Sequence, residues 1–454
     1  MLLSSLNINT QRSVSDKIRL CFWVYLILLI FEGAMRKWFL PQLSNIFLVI
    51  REPVVLYVIF LSFKYNIRSK ITNALFIFSF ISFVLTLLFG HHNVLVALYG
   101  VRITLLHLPC IFIFGKVITR EDIHLIGKAV LYISVLMFII IVVQYFSPKT
   151  AFINIGTGGS GTASFQGVDE YMRPSGTFSF ISGLTQFELL VGLYLIYYLY
   201  NNKNISKCHK FSIFVLFTFI IIYFFSLALC LSRTAIFEAI LMFATMVIYM
   251  ILNKEKANKI IYIIIFMTIS FLILSQIESF KLAIDNVFNR FDSASKSEGN
   301  IIEGSVGNRY LGSFYRAFFE TQNFSNKEIP FFGFGLGIGT KVGETILGVR
   351  TIGNSFAFAE EEWSRIVCEM GLLQSIFFLL GFRLILPLSL VYKAFIYIKR
   401  RKDFFLYICI PAFLLHIINT QWAVPTSLGF TVVTCTLFVA ALNQHERIKN
   451  NVIH

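Results

Sequence analysis

Residues with recognisable chemistry gather late in the chain, between about residues 308 and 381. This stretch combines two arginines, a glycine-rich turn and three consecutive glutamates: Arg309, Arg316, the sequence GFGLGIG, and Glu360, Glu361 and Glu362. A guanidinium group binds anions through paired N–H donors, and a carboxylate can act as a general base. An apolar run follows the glutamates directly. The stretch therefore predicts a site beside a membrane-embedded helix.

Three further arginines stand at positions where a charge needs an explanation. Arg102 lies inside an apolar run, and such an arginine usually pairs with a carboxylate or a bound anion. Arg233 interrupts the apolar block 211–252, which can cross a membrane twice only if it turns near its middle. Arg173 opens the sequence RPSGTF in a polar stretch. We expect Arg233 at a membrane surface, with the neighbouring Ser and Thr capping the next helix.

The elements that position these residues are predicted to be membrane-spanning helices. Hydrophobic residues make up 57% of the 454 positions and charged residues only 14%, and the mean hydropathy is +0.75. Apolar runs of about 18 residues or more recur, and in a bilayer they must be helical. We predict about 12 transmembrane helices, near residues 20–33, 44–63, 71–90, 94–117, 123–146, 184–200, 211–252 (two helices), 259–276, 363–392, 404–421 and 426–443.

Positively charged residues predict how these helices are oriented. Seven short segments hold 22 of the 39 Lys and Arg and only five acidic residues. They are 1–19, 64–70, 116–128, 201–210, 253–259, 393–402 and 444–454. They occupy every second gap between apolar runs, as the positive-inside rule requires. Both termini are therefore predicted in the cytoplasm, and the loops 147–183 and 277–360 outside, the second with short helices on the membrane surface.

The same pattern excludes other classes of protein. The net charge of +15 reports membrane topology, which argues against nucleic-acid binding. His91 and His92 are adjacent, but no carboxylate or thiol lies nearby in the sequence, so we predict no metal site. The tripeptide Arg51-Glu52-Pro53 lies within an apolar run and is either a structural ion pair or the floor of a site. We favour the structural role. The chain is predicted to be one integral membrane domain, 1–454.

Five sequences on the predicted outside resemble a known family. They are RPSGTF at 173–178, LSRTA at 231–235, GNRY at 307–310, GFGLG at 333–337 and EEEWSRIVCEMGLL at 360–373. Their order and placement resemble the bacterial O-antigen ligase and polymerase family. The stretch EGAMRKWFLPQLSNIFLVIREPVV resembles a branch of that family associated with exopolysaccharide. The resemblance spans nearly the whole chain, and it depends on the combination of these motifs.

The resemblance implies an enzyme that transfers a glycan from undecaprenyl diphosphate to a sugar hydroxyl without a cofactor or metal. Positions that match the family's diphosphate-handling arginines are Arg173, Arg233 and Arg309, and Arg316 and Arg102 are further candidates. Family ligases carry a His-Asn pair where this chain has Glu360 and Glu361. The base is therefore open among Glu360, Glu361 and Glu362. Alternatively, these acids favour the start of the following helix through its dipole.

The leading hypothesis is a polymerase of lipid-linked oligosaccharide repeats in the bacterial inner membrane, making a surface or exported polysaccharide. One alternative is a ligase that transfers finished glycan to a lipid or protein acceptor, and another is a transporter or flippase of the lipid-linked glycan. The expected partners are the undecaprenyl-diphosphate-linked oligosaccharide and the bilayer. The resemblance also implies a flippase and a chain-length regulator as partner proteins.

Overall fold

The computed structural model of the protein consists of helices and their connections. The structure describes residues 2–159, 171–202, 205–206, 208–254, 257–298, 312–320, 329–347 and 362–453. Side chains are not described at residues 2–12, 257–260, 293–298 and 447–453, nor at a few positions near 313–344. Within these residues no β-strand occurs.

The helices follow the predicted apolar runs closely. They are α1 (Leu2–Ala34), α2 (Glu52–Lys64), α3 (Lys70–Phe89), α4 (Val94–Val117), α5 (Arg120–Phe146), α6 (Ile181–Asn201), α7 (Ile213–Leu229), α8 (Arg233–Leu252), α9 (Ala257–Leu274), α10 (Glu278–Glu298), α11 (Glu362–Arg401), α12 (Phe404–Ile418) and α13 (Pro425–Ile453). Each predicted apolar run coincides with one of these helices. Only α10 lies outside the predicted set, in the stretch where short surface helices are expected.

Nine candidate membrane spans occur in the described part of the chain, by length and composition. Two shorter apolar helices, α7 and α12, fall below that length. A third, α9, qualifies only together with α10, which bends away from it by 103°. These helices indicate a membrane protein, and the twelve crossings read from the sequence stay a prediction.

Local sequence signals explain where individual helices begin. Ser69 caps α3 by accepting a hydrogen bond from the backbone N–H of Thr72, and Thr119 caps α5 in the same way with Asp122. These reciprocal capping boxes satisfy N–H groups that have no partner inside the helix. Ser232 likewise caps α8. Of the Ser and Thr predicted to cap beside Arg233, the structure therefore confirms Ser232.

The last helix forms the centre of the bundle. In the membrane-length part of α13, 94% of the residues are buried, compared with 28% in α3. Helix α13 packs against α4, α6 and α12. A helix enclosed in this way contacts protein on all sides, whereas α3 leaves most of its apolar surface for lipid. The order of burial therefore separates an inner layer, α6 and α13, from outer helices such as α2, α3 and α8.

The seven basic segments of the sequence meet at one end of the bundle, here called the basic end. The contacts that join them are Arg19 with Asp122 (3.5 Å), Lys116 with the carbonyls of Ile67 and Arg68 (2.8 Å each), Lys128 with the carbonyl of Cys208 (2.5 Å), Tyr249 with the carbonyl of Lys402 (2.6 Å), and His445 with Asp403 (2.8 Å). The sequence predicts that every second connection between helices lies on the same side, and these contacts agree with that prediction. The other end of the bundle carries the described parts of the predicted outside motifs, namely RPSGTF, LSRTA, GFGLG and the start of α11.

At that other end, the glycine-rich segment packs directly on two helix termini. Gly333, Gly335 and Gly337 have φ values of 75°, 103° and 85°, in the region that favours glycine. A Cβ on Gly337 would lie 2.4 Å from the carbonyl oxygen of Val96, and one on Gly100 would lie 2.4 Å from the backbone nitrogen of Gly337. The segment therefore contacts α4 through backbone atoms, with no space for side chains between them.

Replacing Gly337 by alanine should destabilise this contact. The new Cβ meets the Val96 carbonyl, and the left-handed backbone disfavours alanine, so we expect a loss of about 1–3 kcal/mol. The apparent unfolding midpoint, followed by tryptophan fluorescence in detergent, should fall. Gly381→Ala is the matched control because nothing lies within 4 Å of its added Cβ. Equal midpoints for the two variants would contradict the close backbone contact.

Candidate functional site

A buried lysine at the end of α1 holds the segment 171–180 in place. The Lys37 amine donates to the carbonyl oxygen of Gly176 at 2.7 Å and to Ser175 Oγ at 3.0 Å. Its side chain is buried, and a buried amine is stable only when hydrogen-bonded. The segment supplies those acceptors, so its position, including that of Arg173, depends on α1.

Two further contacts tie the same segment to α1. Arg36 Nη1 donates to Ser179 Oγ at 2.9 Å, and Thr177 Oγ1 donates to the carbonyl oxygen of Ile30 at 2.5 Å. Gly33 makes this approach possible, since a Cβ there would lie 2.4 Å from the Thr177 carbonyl oxygen. The basic residues after α1, which suggest interfacial anchors in the sequence, thus bind the chain that carries Arg173.

Two of the predicted arginines, Arg173 and Arg233, lie close enough to interact electrostatically, and Arg290 also interacts with Arg173. Burial, then the positive charges of Arg290 and Arg233, lowers the pKa of Arg173 to about 10. Arg173 Nε is buried and has no hydrogen-bond partner among the described residues. These three residues are here called the arginine group. Arg173 lies in the segment 171–180, Arg233 begins α8, and Arg290 lies within α10. Like charges gathered in this way favour a bound anion.

The turn between α7 and α8 fixes Arg233. Leu231 has a φ of 48°, so the chain reverses sharply just before the helix. Ser232 Oγ accepts from the backbone N–H of Ala235 at 3.3 Å and lies 3.3 Å from Thr185 Oγ1 on α6. Since α6 directly follows the segment 171–180, this link holds Arg233 on the same framework as Arg173.

Arg290 is the member of the arginine group that the sequence analysis missed. It lies on α10, where Asn286 Nδ2 donates to Tyr145 Oη at 2.8 Å. The Tyr145 ring stacks on Tyr171, with centroids 4.9 Å apart. Helix α10 therefore covers the end of α5 and the start of the segment that carries Arg173. The sequence does contain a signal for Arg290, because it is an arginine on a predicted amphipathic helix of the outside loop 277–360.

Two buried glutamates near the arginine group were also missed. Glu188 on α6 and Glu238 on α8 are buried, and one oxygen of each carboxyl has no hydrogen-bond partner among the described residues. Both lie close enough to Tyr223 to interact with it electrostatically, and Cys230 interacts with both Glu188 and Arg173. Carboxyl groups within a membrane span are costly and usually functional. The sequence does contain a signal for these two residues, because each is an acidic residue within an apolar run.

Glu362, one of the three candidate bases, is held by arginines. Arg365 donates to its two carboxylate oxygens at 2.6 Å and 3.0 Å and also pairs with Glu369. Arg383 lies 3.6 Å from the Glu362 carboxylate. Arg365 and Arg383 thus surround the oxygens of this carboxylate, and this geometry favours a structural role for Glu362 at the head of α11. Glu360 and Glu361 lie outside the described residues, and the base assignment stays a prediction.

Arg102 belongs to a separate buried network of ion pairs. It pairs with Glu52 and donates to Tyr99 Oη at 3.0 Å. In the same network Arg51 donates to Glu32 at 3.0 Å. Of the two possibilities read from the sequence, a carboxylate and a bound anion, the structure shows the carboxylate for Arg102. The Arg51-Glu52 dipeptide is likewise ion-paired, as the favoured structural role requires.

The two remaining candidates are Arg316 and Arg309. Arg316 begins the helical turn Arg316–Glu320, which packs against Glu362–Ile376, the first part of α11. Arg309 lies outside the described residues. Their predicted contact with a diphosphate therefore stays a prediction.

The fold and the arginine group define the class, an all-helical membrane protein with clustered guanidinium groups at the end opposite its basic end. Comparisons of the chain with models of protein families, with curated proteins and with solved structures find no match. The function therefore has to be argued from the residues and their geometry.

Replacing Lys37 by methionine should release the segment 171–180 from α1. The variant keeps the apolar stem but loses both hydrogen bonds, which costs about 1–3 kcal/mol locally. Backbone amides of the segment should then exchange with deuterium roughly 5- to 100-fold faster, as measured by mass spectrometry. Lys64→Met, at an exposed position on α2, is the control. Unchanged exchange in the Lys37 variant would show that other contacts suffice.

Proposed function

We propose that this protein is a membrane glycosyltransferase that polymerises undecaprenyl-diphosphate-linked oligosaccharide repeats into a surface or exported polysaccharide. The observation that carries the proposal is the convergence of Arg173, Arg233 and Arg290 from three separate parts of the chain. Gathered positive charges are stabilised when an anion binds among them. A diphosphate attached to a lipid supplies such an anion at a membrane surface.

The reaction follows from the chemistry of this donor. An acceptor hydroxyl attacks the anomeric carbon, the bond from that carbon to the diphosphate oxygen breaks, and the bonding electrons leave with the oxygen. Negative charge grows on the diphosphate, where the arginine group stabilises it by about 1.5–3 kcal/mol for each charge-assisted contact. A single displacement inverts the anomeric centre.

The acceptor proton passes to a carboxylate. Glu360 and Glu361 are the candidates, given the ion pairs that hold Glu362. General-base catalysis of this kind contributes about 10²–10⁴-fold in rate.

The membrane topology supports this chemistry on the outer face. The basic end gathers the positively charged connections, so the positive-inside rule assigns it to the cytoplasm. The arginine group lies at the other end, where a lipid-linked donor would be presented after translocation. We propose twelve crossings, with α7, α9 and α12 counted as spans, both termini in the cytoplasm, and the bacterial inner membrane as the location.

Arg290 offers the sharpest test of the arginine group because the sequence resemblance does not include it. In cells that depend on the variant, Arg290→Gln should lower polymer yield by at least about tenfold, since each preorganised electrostatic contact contributes up to 10²–10³. The length ladder of the polysaccharide on a gel provides the measurement. Lys281→Gln is the matched control, because Lys281 is exposed on the same helix and the charge change is equal.

Arg233→Gln and Arg173→Gln should give the same loss as Arg290→Gln. Full-length polymer from the Arg233 variant would overturn the proposed role. With lipid-linked single repeats and purified protein, a ladder of lengthening products supports a polymerase. A single transfer to another acceptor would indicate a ligase, and translocation without covalent change would indicate a transporter.

One native cysteine tests the orientation. Of the seven cysteines, Cys208 is exposed and the other six are buried. Cys208 lies at the basic end, so a membrane-impermeant maleimide should label inverted membrane vesicles and leave intact spheroplasts unlabelled. Cys208→Ser should abolish the labelling. Labelling of intact spheroplasts would reverse the proposed topology and place the arginine group in the cytoplasm.

A further inference from the structure

A polar cavity opens at the basic end, and none of the three arginines of the arginine group lines it. Its volume is about 450 Å³. Residues in or beside six helices line it, and its polar side chains include Arg120, Asn201, Asn253, Arg401, Lys402 and His445. The proposed reaction uses none of these residues.

The carboxylate in this lining is already fully engaged. Asp403 accepts hydrogen bonds from Arg120 at 2.8 Å and 3.3 Å, from His445 Nε2 at 2.8 Å, and from the backbone N–H of Leu406 at 3.1 Å. Although burial alone would raise it, the hydrogen bond from His445 and the charge of Arg120 hold the pKa of Asp403 well below its usual range. Asp403 is therefore ionised, and its charge is balanced by Arg120.

Two other cations in the lining are not balanced in this way. Arg401 and Lys402 are exposed and form no ion pair within the described residues. Lys402 has a φ of 52°, and its carbonyl accepts from Tyr249 Oη at 2.6 Å. The left-handed turn between α11 and α12 is thereby fixed, and it presents two adjacent positive side chains to the cavity.

Aromatic packing keeps the cavity wall in place. The Phe404 ring lies 4.1 Å from the Tyr200 ring and 4.9 Å from the Tyr249 ring, centroid to centroid. These three residues also line the cavity. Such contacts between α6, α8 and α12 stabilise the wall without any ligand. The site is therefore preformed, which lowers the entropic cost of binding.

We propose that this cavity binds a phosphate-bearing anion, taken either from a soluble phosphate ester or from the headgroup of an anionic phospholipid. Arg401 offers the planar donor fork that matches phosphate oxygens, and Lys402 adds a second cation beside it. The volume exceeds that of a single inorganic ion and leaves room for the group that carries the phosphate. The position at a membrane-facing end gives access to both sources.

The test compares two pairs of adjacent basic residues in the full-length protein. Arg401→Gln with Lys402→Asn removes the cations of the cavity, and asparagine tolerates the left-handed backbone at position 402. Lys399→Gln with Arg400→Gln removes the same charge from exposed positions that do not line the cavity. All proteins are reconstituted in nanodiscs, which expose both faces, and unfolding midpoints without added probe verify equal stability.

Two arms distinguish the sources of the phosphate. In phosphatidylcholine nanodiscs, glycerol 3-phosphate is titrated against a glycerol blank, and binding is followed by the unfolding midpoint. In nanodiscs with added phosphatidylglycerol, native mass spectrometry counts the lipid molecules that stay bound. Saturable binding in either arm, weakened at least about tenfold by the cavity pair and less than about twofold by the control pair, supports the proposal.

Two results would overturn it. Absence of saturable binding in both arms would show that the cavity holds only solvent. An equal loss in the two variant pairs would show general attraction of anions to a basic surface.

Discussion

The candidate site depends on one buried amine at the end of α1. Lys37 has to be hydrogen-bonded to remain buried, and the acceptors come from Ser175 and Gly176, about 140 residues further along the chain. These hydrogen bonds help to attach the segment 171–180, which carries Arg173, to the residues that follow α1. Arg233 and Arg290 then reach the same place from α8 and α10. Without Lys37, the segment that carries Arg173 would lose these two hydrogen bonds.

The two ends of the bundle use positive charge for different purposes. At the basic end, most cations are solvated or paired one to one, as Arg120 is with Asp403. Such an arrangement is inexpensive and reports membrane topology. At the other end, Arg173 approaches two further arginines, although burial and repulsion oppose it. Positive charges held this close together at a half-buried position are a feature of sites that bind anions.

Ion pairing also divides the carboxylates. Arg365 forms ion pairs with Glu362 and Glu369, which fixes the start of α11. Glu188 and Glu238 are buried without such a partner in the described chain, close to Tyr223. Burial removes the hydration of both carboxyl groups, which is a cost unless a polar partner replaces it. The acidic residues of this bundle therefore fall into two groups, those ion-paired with an arginine and those buried without an ion pair in the described chain.

The sequence by itself determined the helices and the side on which the basic segments lie. Hydropathy and capping residues such as Ser69 act within a few positions, so these features can be read locally. It also singled out Arg173 and Arg233. Only the tertiary structure decided that Arg290 interacts with Arg173 and that Arg102 pairs with Glu52. It also decided that Lys37 binds the segment 171–180. Those pairings join residues distant in the chain, and they arise from the need to satisfy buried charge, which no local pattern encodes.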